Sequence, residues 1–226
     1  MNTQHNRIVQ IYKSRLNLLT ILESIYGYDI RDYSGFNFNE IDAMYNNNQL
    51  DMLLTEKISD NDKKTTNASS SGGTSGIHKT YIKYFIKSTL NELLLRNIVE
   101  DLYILSNTLT KDDCLFIIYD GEPNDSLINH LNNLFTYEDK FIIIYNMKRL
   151  QFNILEHSLV PRVSILNDTE VEEFKKKYNI DDLKKMPEIS RYDPQAQAIC
   201  LRPGKICKFL RNSPTSLETP YYRVCV

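Results

Sequence analysis

The sequence has 226 residues, with no tryptophan, seven glycines, seven prolines and four cysteines. Cys114, Cys200, Cys207 and Cys225 show no Cys-x-x-Cys spacing, and no histidine sits beside them at metal-ligand spacing. That excludes a zinc ribbon and a disulfide framework, so free, buried thiols in a reducing compartment are expected. No stretch approaches the roughly 18 uninterrupted apolar residues of a membrane span, and the N-terminus lacks an apolar run behind a basic patch. A soluble, non-secreted protein without a membrane partner is expected, and the sequons at Asn67 and Asn167 carry no weight. A strong basic excess is missing too. Residues 1–146 carry 13 Lys and Arg against 19 Asp and Glu, and residues 147–226 carry 14 against 10. So small a cationic surplus does not make an autonomous DNA binder. Few glycines and no tryptophan, with abundant Asn, Ile, Lys and Tyr, suggest an AT-rich coding genome.

What is present suffices for a core. Hydrophobic residues make up 42% and charged residues 25%, which is ordinary for a globular chain of one large or two small domains. Ile8, Ile11, Tyr12, Leu16, Leu19, Leu22, Ile25 and Tyr26 have helical spacing, and Gly27 is placed to end that helix. A short helix is expected over Asn39–Tyr45 and a strand over Leu50–Thr55. The segment 57–76 (KISDNDKKTTNASSSGGTSG) is polar and nearly free of apolar anchors, and reads as a flexible insertion.

Thr80–Lys87 reads as a strand. Thr89 and Glu92 have capping-box spacing before a helix with Leu90, Leu93, Leu94, Ile98, Leu102 and Leu105 on its buried side. Cys114–Tyr119 and Phe141–Tyr145 are short, fully apolar runs, as buried central strands should be. The loop Asp120–Asp125 and a helix to Phe135 lie between them. This alternation predicts an α/β layer with crossover connections. A boundary near 147–152 divides the chain into domains 1–150 and 152–226.

The last seventy or so residues are dense in backbone-shaping residues and poor in catalytic ones. Arg162–Leu166 reads as a strand. Asn167 with Glu170 opens a helix whose Val171, Phe174 and Tyr178 face inward, and Asn179 suits its end. Asp193-Pro194 is an N-cap followed by proline at the first helical position. Arg202-Pro203-Gly204-Lys205 has the residues of a type II turn, and Lys205–Arg211 and Tyr221–Val226 make two closing strands.

Several spaced motifs in this stretch carry a resemblance. They are EHSLVP (Glu156–Pro161), a helix ending in KKYNI, MPEI (Met186–Ile189), DP before a small-residue helix, LRPGKICKFLRNSPTS and the terminal YYRVCV. Together they resemble the RNA polymerase subunit that archaea share with eukaryotes, where it is the fifth subunit and common to the nuclear polymerases. Upstream, the layout resembles the jaw domain that the eukaryotic version adds. The resemblance implies an α/β protein, α+β overall: a jaw-like domain with a mixed sheet at 1–150, and a small assembly domain at 152–226. It implies a non-catalytic subunit, without cofactor or metal, that docks on the largest subunit beside the other polymerase subunits. The docking residues it implies are Glu156, His157, Leu159, Val160, Pro161, Pro187, Ile189, Asp193, Pro194, Pro203, Gly204, Arg211, Ser213, Pro214, Thr215, Tyr222 and Arg223. A loop with Pro123, Asn124 and Ser126 would face downstream DNA, weakly or indirectly.

The chain departs from the family pattern at Val163, at Glu188, in the Ser216–Glu218 loop and at Glu122–Ser126. Asp120, Glu122 and Asp125 would set three carboxylates against DNA phosphate. The departures and the AT-rich style suggest a polymerase encoded by a large DNA virus, placed in the virion and infected-cell cytoplasm. A cellular version would be nuclear. Two other readings compete: a stand-alone factor attached to a host polymerase, and a Mg²⁺-dependent nuclease. The nuclease would use Asp120 or Asp125 with the Glu138-Asp139-Lys140 pattern, two carboxylates holding the metal while lysine orients water.

Overall fold

The computed structural model describes residues 2–56 and 79–226, so the insertion expected at 57–76 lies outside the described residues. The chain divides into two units, Met1–Gln151 and Phe152–Val226.

The first unit opens with helix α1 (Asn2–Tyr26), which stops where Gly27 turns left-handed (φ 65°) and donates its N–H to Glu23 O at 3.0 Å. Ile8, Ile11, Leu18, Leu19, Ile21 and Leu22 are buried, as are Ser14 and Arg15, while Tyr12 and Leu16 are 36% and 55% exposed. The buried stripe thus differs from the expected one. Over 25 residues α1 packs against both helix α2 (Phe38–Asn46) and the 3₁₀ turn Met147–Gln151, so its covered side follows two neighbours.

Strands β1 (Met52–Thr55), β2 (Lys79–Phe85), β3 (Cys114–Tyr119) and β4 (Phe141–Asn146) form a sheet in that spatial order. β1 is antiparallel to β2, and β2–β3 and β3–β4 are parallel. The parallel strands are joined through helices α3 (Glu92–Glu100) and α4 (Asp125–Glu138). All of β4, and β3 up to its last residue, is buried, which is why both read as continuous apolar runs. The cap of α3 is Asn91, whose side chain accepts from Leu94 N at 2.9 Å, rather than Thr89. Leu90 therefore precedes the helix, and the buried face is Leu95, Ile98, Val99 and Leu102. Leu93 is 66% exposed. A π-helical turn, Asp101–Leu105, follows, and its wider winding carries Leu105 out to 77% exposure.

In the second unit, β5 (Arg162–Ile165), β6 (Glu188–Ile189), β7 (Ile206–Ser213) and β8 (Leu217–Cys225) form a sheet of order β5-β7-β8-β6. β7 is antiparallel to both β5 and β8, and β6 runs parallel to β8. Helix α5 (Asp168–Tyr178) has a closed capping box. Asn167 Oδ1 accepts from Glu170 N, and Glu170 Oε2 accepts from Asn167 N, each at 2.8 Å. Its Phe174 joins Leu166, Met186, Ile206 and Val224 in a core against one face of the sheet. The rings of Tyr178 and Tyr222 pack tilted against Phe174, with centres 4.9 and 4.4 Å away.

On the other side, Asp193 caps the short helix α6 (Pro194–Ala198) by accepting from Gln195 N and Ala196 N. The Arg202–Lys205 turn closes through Lys205 N to Arg202 O at 3.1 Å with Gly204 at φ 84°. The final hairpin is longer than expected, since pairing continues to Ser213 opposite Leu217. Val226 N donates to Ile189 O at 2.9 Å, so the last residue is stitched into the fold.

Candidate functional site

Strand register shapes the exposed part of the second unit. β5 leaves β7 at the Arg162–Leu210 pair, and β6 meets β8 only at Val224 and Cys225. From Arg211–Thr219 to Ser213–Leu217 the β7–β8 hairpin therefore has no partner strand on either edge among the described residues. Beside it runs Ser158–Arg162, and together with Leu210–Asn212 and Glu218 it lines a hollow of about 640 Å³. Leu159 is 85% exposed there. Pro161 is held in place by its carbonyl, which accepts from Gln195 Nε2 at 2.7 Å and so ties the segment to α6.

Of the residues implied by resemblance, Leu159, Val160, Pro161 and Arg211 meet in this hollow. Ser213, Pro214 and Thr215 lie at the hairpin tip. Glu156 and His157 precede it: Glu156 Oε1 accepts from Asn153 Nδ2 at 2.8 Å, and His157 Nδ1 accepts from Leu159 N at 3.2 Å. His157 is thus occupied in turning the chain. Others build the frame. Ile189 is buried, Pro187 O accepts from Val224 N at 3.0 Å, Asp193 and Pro194 start α6, and Pro203 and Gly204 make the turn.

Arg211 and Arg223 lie on the opposite face of the sheet from the α5 core. Their guanidinium carbons sit 4.6 and 5.3 Å from the centre of the Tyr221 ring, one on each flank in register. Arg223 Nη1 also donates to Glu188 O at 3.0 Å. Tyr222 points the other way, into the Phe174 cluster. Of Tyr221 and Tyr222 the sequence predicts one core and one interface residue; Tyr222 packs on the core, and Tyr221 lies beside Arg223 because residues two apart in a strand share a face. The pairing with Arg211 needed the hairpin register.

The thiols in this unit are chemically quiet. Burial pushes Cys207 up to about 11 and Cys225 up to about 12. At neutral pH neither is a thiolate, the form that acts as nucleophile and metal ligand.

The acidic residues of the first unit do not converge. Asp120 pairs with Arg7, and Glu122 Oε2 pairs with Arg149 at 3.2 Å while its Oε1 accepts from Asn146 Nδ2 at 2.9 Å. Two of the three carboxylates expected to repel phosphate are thereby neutralised within the unit. Glu138 pairs with Lys140 at 2.6 Å. It closes α4, which Asp125 opens, so the two carboxylates stand about 20 Å apart along the axis. Asp139 is a left-handed cap (φ 57°). Among the described residues no group of three or more His, Cys, Asp or Glu is placed to hold a metal. Asp125 and Glu138 therefore do not share a site, and Asp120 is engaged by Arg7. In the loop expected to face DNA, Asn124 caps α4 by accepting from Leu127 N at 2.9 Å, Ser126 Oγ donates to Glu92 Oε2 at 3.2 Å, and Pro123 is partly exposed.

No helix among the described residues is long and apolar enough to cross a membrane. Residues 152–225 match the family model of RNA polymerase Rpb5, C-terminal domain. The DNA-directed RNA polymerase subunit Rpo5 of Thermococcus kodakarensis is 41% identical over 76 residues, which are 34% of this chain and 92% of that relative. The same-named subunit of Staphylothermus marinus is 41% identical over 80 residues, covering 35% and 87%. That of Archaeoglobus fulgidus is 36% identical over 77 residues, covering 34% of this chain and all of the relative.

Proposed function

The chain belongs to the family of RNA polymerase Rpb5 and DNA-directed RNA polymerase subunit Rpo5, and on that premise we propose that its second unit seats it on the largest subunit of a multisubunit polymerase. It is a non-catalytic subunit, and nucleotide addition belongs to residues of other subunits. The observation that carries this reading is a coincidence of boundaries. The family match runs over 152–225, and the unit with its own core and sheet runs from Phe152 to Val226. A segment that makes up nearly all of the archaeal relatives is here a self-contained fold.

The docking surface on this reading is the hollow with Leu159, Val160, Pro161 and Arg211, continued by the hairpin tip at Ser213–Thr215 and the Arg211–Tyr221–Arg223 face. The first unit serves as a jaw beside downstream DNA. Its touch on DNA is weak or indirect, because residues 1–146 carry more acidic than basic side chains. The AT-rich composition supports an origin in a large DNA virus, with the polymerase at work in the virion and infected-cell cytoplasm.

Affinity purification of the tagged full chain from cells that make it tests the assignment. One copy per catalytic large subunit supports it. Recovery only with a host polymerase, by contrast, favours an attached factor. Mg²⁺-dependent cleavage of DNA by the purified chain, lost in Glu138→Ala, would revive the nuclease.

A further inference from the structure

Helix α1 carries a second surface that the docking reading leaves unused. Arg15 is 4% exposed, yet among the described residues no carboxylate reaches ion-pairing distance of it. Its Nη1–H donates to Leu50 O at 3.0 Å, and the rings of Tyr33 and Phe36 lie 5.8 and 5.4 Å from its guanidinium carbon. Its Nε–H is buried with no partner.

A guanidinium stays protonated under all ordinary conditions, even though burial pulls the pKa of Arg15 below its usual value. Removing such a charge from water is costly unless an opposite charge meets it. A carbonyl and two ring faces recover part of that cost and leave the net charge in place. Arg15 also lines a hollow of about 220 Å³ with Tyr12, Leu16, Tyr33 and Phe36, and no acidic residue lines it. Tyr12 and Leu16 are exposed at this hollow, although their spacing on α1 is that of core residues.

We propose that this hollow receives a carboxylate side chain from a neighbouring polymerase subunit, with an adjoining apolar residue covering Tyr12 and Leu16. The proposal rests on the reading that the chain assembles with other subunits. Arg15 Nη2 makes no hydrogen bond within the described residues and, unlike Nε, is not fully buried, so it is the atom that can donate to an entering carboxylate. A free small anion would leave the apolar rim bare, so a polypeptide side chain fits better. A nucleic acid fits worse, because the acidic surplus of residues 1–146 opposes a polyanion while one recessed cation admits one carboxylate.

The test is photo-crosslinking in the purified polymerase that contains the full chain, with p-benzoylphenylalanine in place of Tyr12. The expected product joins this chain to another protein subunit, at a peptide with Asp or Glu close to the crosslinked residue. Arg15→Met is expected to lower the yield about tenfold, with Arg15→Lys in between. Tyr12→Glu, read with the crosslinker at Leu16, places a carboxylate three residues before Arg15 in the same hollow, where it occupies the cation in place of the partner's, and is expected to lower the yield as well. A crosslink to nucleic acid, no crosslink from a chain that is present in the polymerase, or a yield indifferent to both substitutions overturns the inference alone. A chain missing from the purified polymerase overturns the subunit reading and this inference together.

Discussion

Single side chains divide here by the reach of their partners. Asp193 serves the two N–H groups just ahead of it, so a cap followed by proline was readable from adjacent letters. Arg7 meets Asp120 across 113 positions, and nothing local announces that pair. Two of the three carboxylates expected against DNA, Asp120 and Glu122, meet cations from elsewhere in the chain, Arg7 and Arg149. Asp193→Ala is expected to destabilise the second unit by about 1 kcal/mol, measured as a lower urea midpoint for the intact protein.

The buried thiols give a residue-scale expectation in pH. Cys207 and Cys225 hold their protons in the fold well above the usual thiol value of 9.0, to about 11 and about 12. Their contribution to stability is complete below pH 9. Above that the unfolded chain releases protons that the fold retains, so stability falls as pH rises through about 11 to 12. Denaturant titrations from pH 7 to 11 should show the decline, and Cys207→Ala should reduce its slope. In the native protein at pH 8, half-exposed Cys200 is expected to react first with a thiol reagent, ahead of buried Cys114, Cys207 and Cys225.

Among the elements, the strands were the most legible. Cys114–Tyr119 is the strand expected, to the residue, because a run buried on both faces needs no knowledge of its neighbours. Helices with one covered side were less legible. The spacing on α1 fits a single apolar stripe, whereas two packing partners bury Leu18, Ile21 and Arg15 and leave Leu16 in the open. On α3 the cap at Asn91 and the π-helical turn shifted the face.

The closing hairpin matters most for testing. Deleting the last six residues removes Val224 and Cys225 from the core as well as Arg223, so a loss of docking there would report unfolding. Arg211→Glu is the cleaner probe, since Arg211 is exposed beyond the last pair with β5. It is expected to weaken incorporation into polymerase on the order of tenfold while leaving the melting of the free chain unchanged. Phe174→Ala should do the reverse. It opens the core beneath two tyrosines at a cost of about 3–5 kcal/mol, visible as early melting of the second unit alone.

At the scale of the molecule, the two units differ in how much their sequences disclose. The second is small, and caps, a turn and a hairpin specify it, each within a few residues of chain, so motifs in order identified it. In the first, parallel strands, the crossovers between them and long-range ion pairs set the arrangement, and these leave weaker traces in a single sequence. The last seventy residues are poor in catalytic side chains, and the second unit offers exposed Leu159, a hairpin tip without a partner strand among the described residues, and a tyrosine between two arginines. On the proposed reading these features serve docking. The most direct measurement is subunit stoichiometry after affinity purification of the tagged full chain from the cells that make it, washed in high salt. One copy per catalytic large subunit, in a fraction that extends RNA on a DNA template, is the expected result. A chain that elutes alone, with no polymerase subunit beside it, would contradict the account.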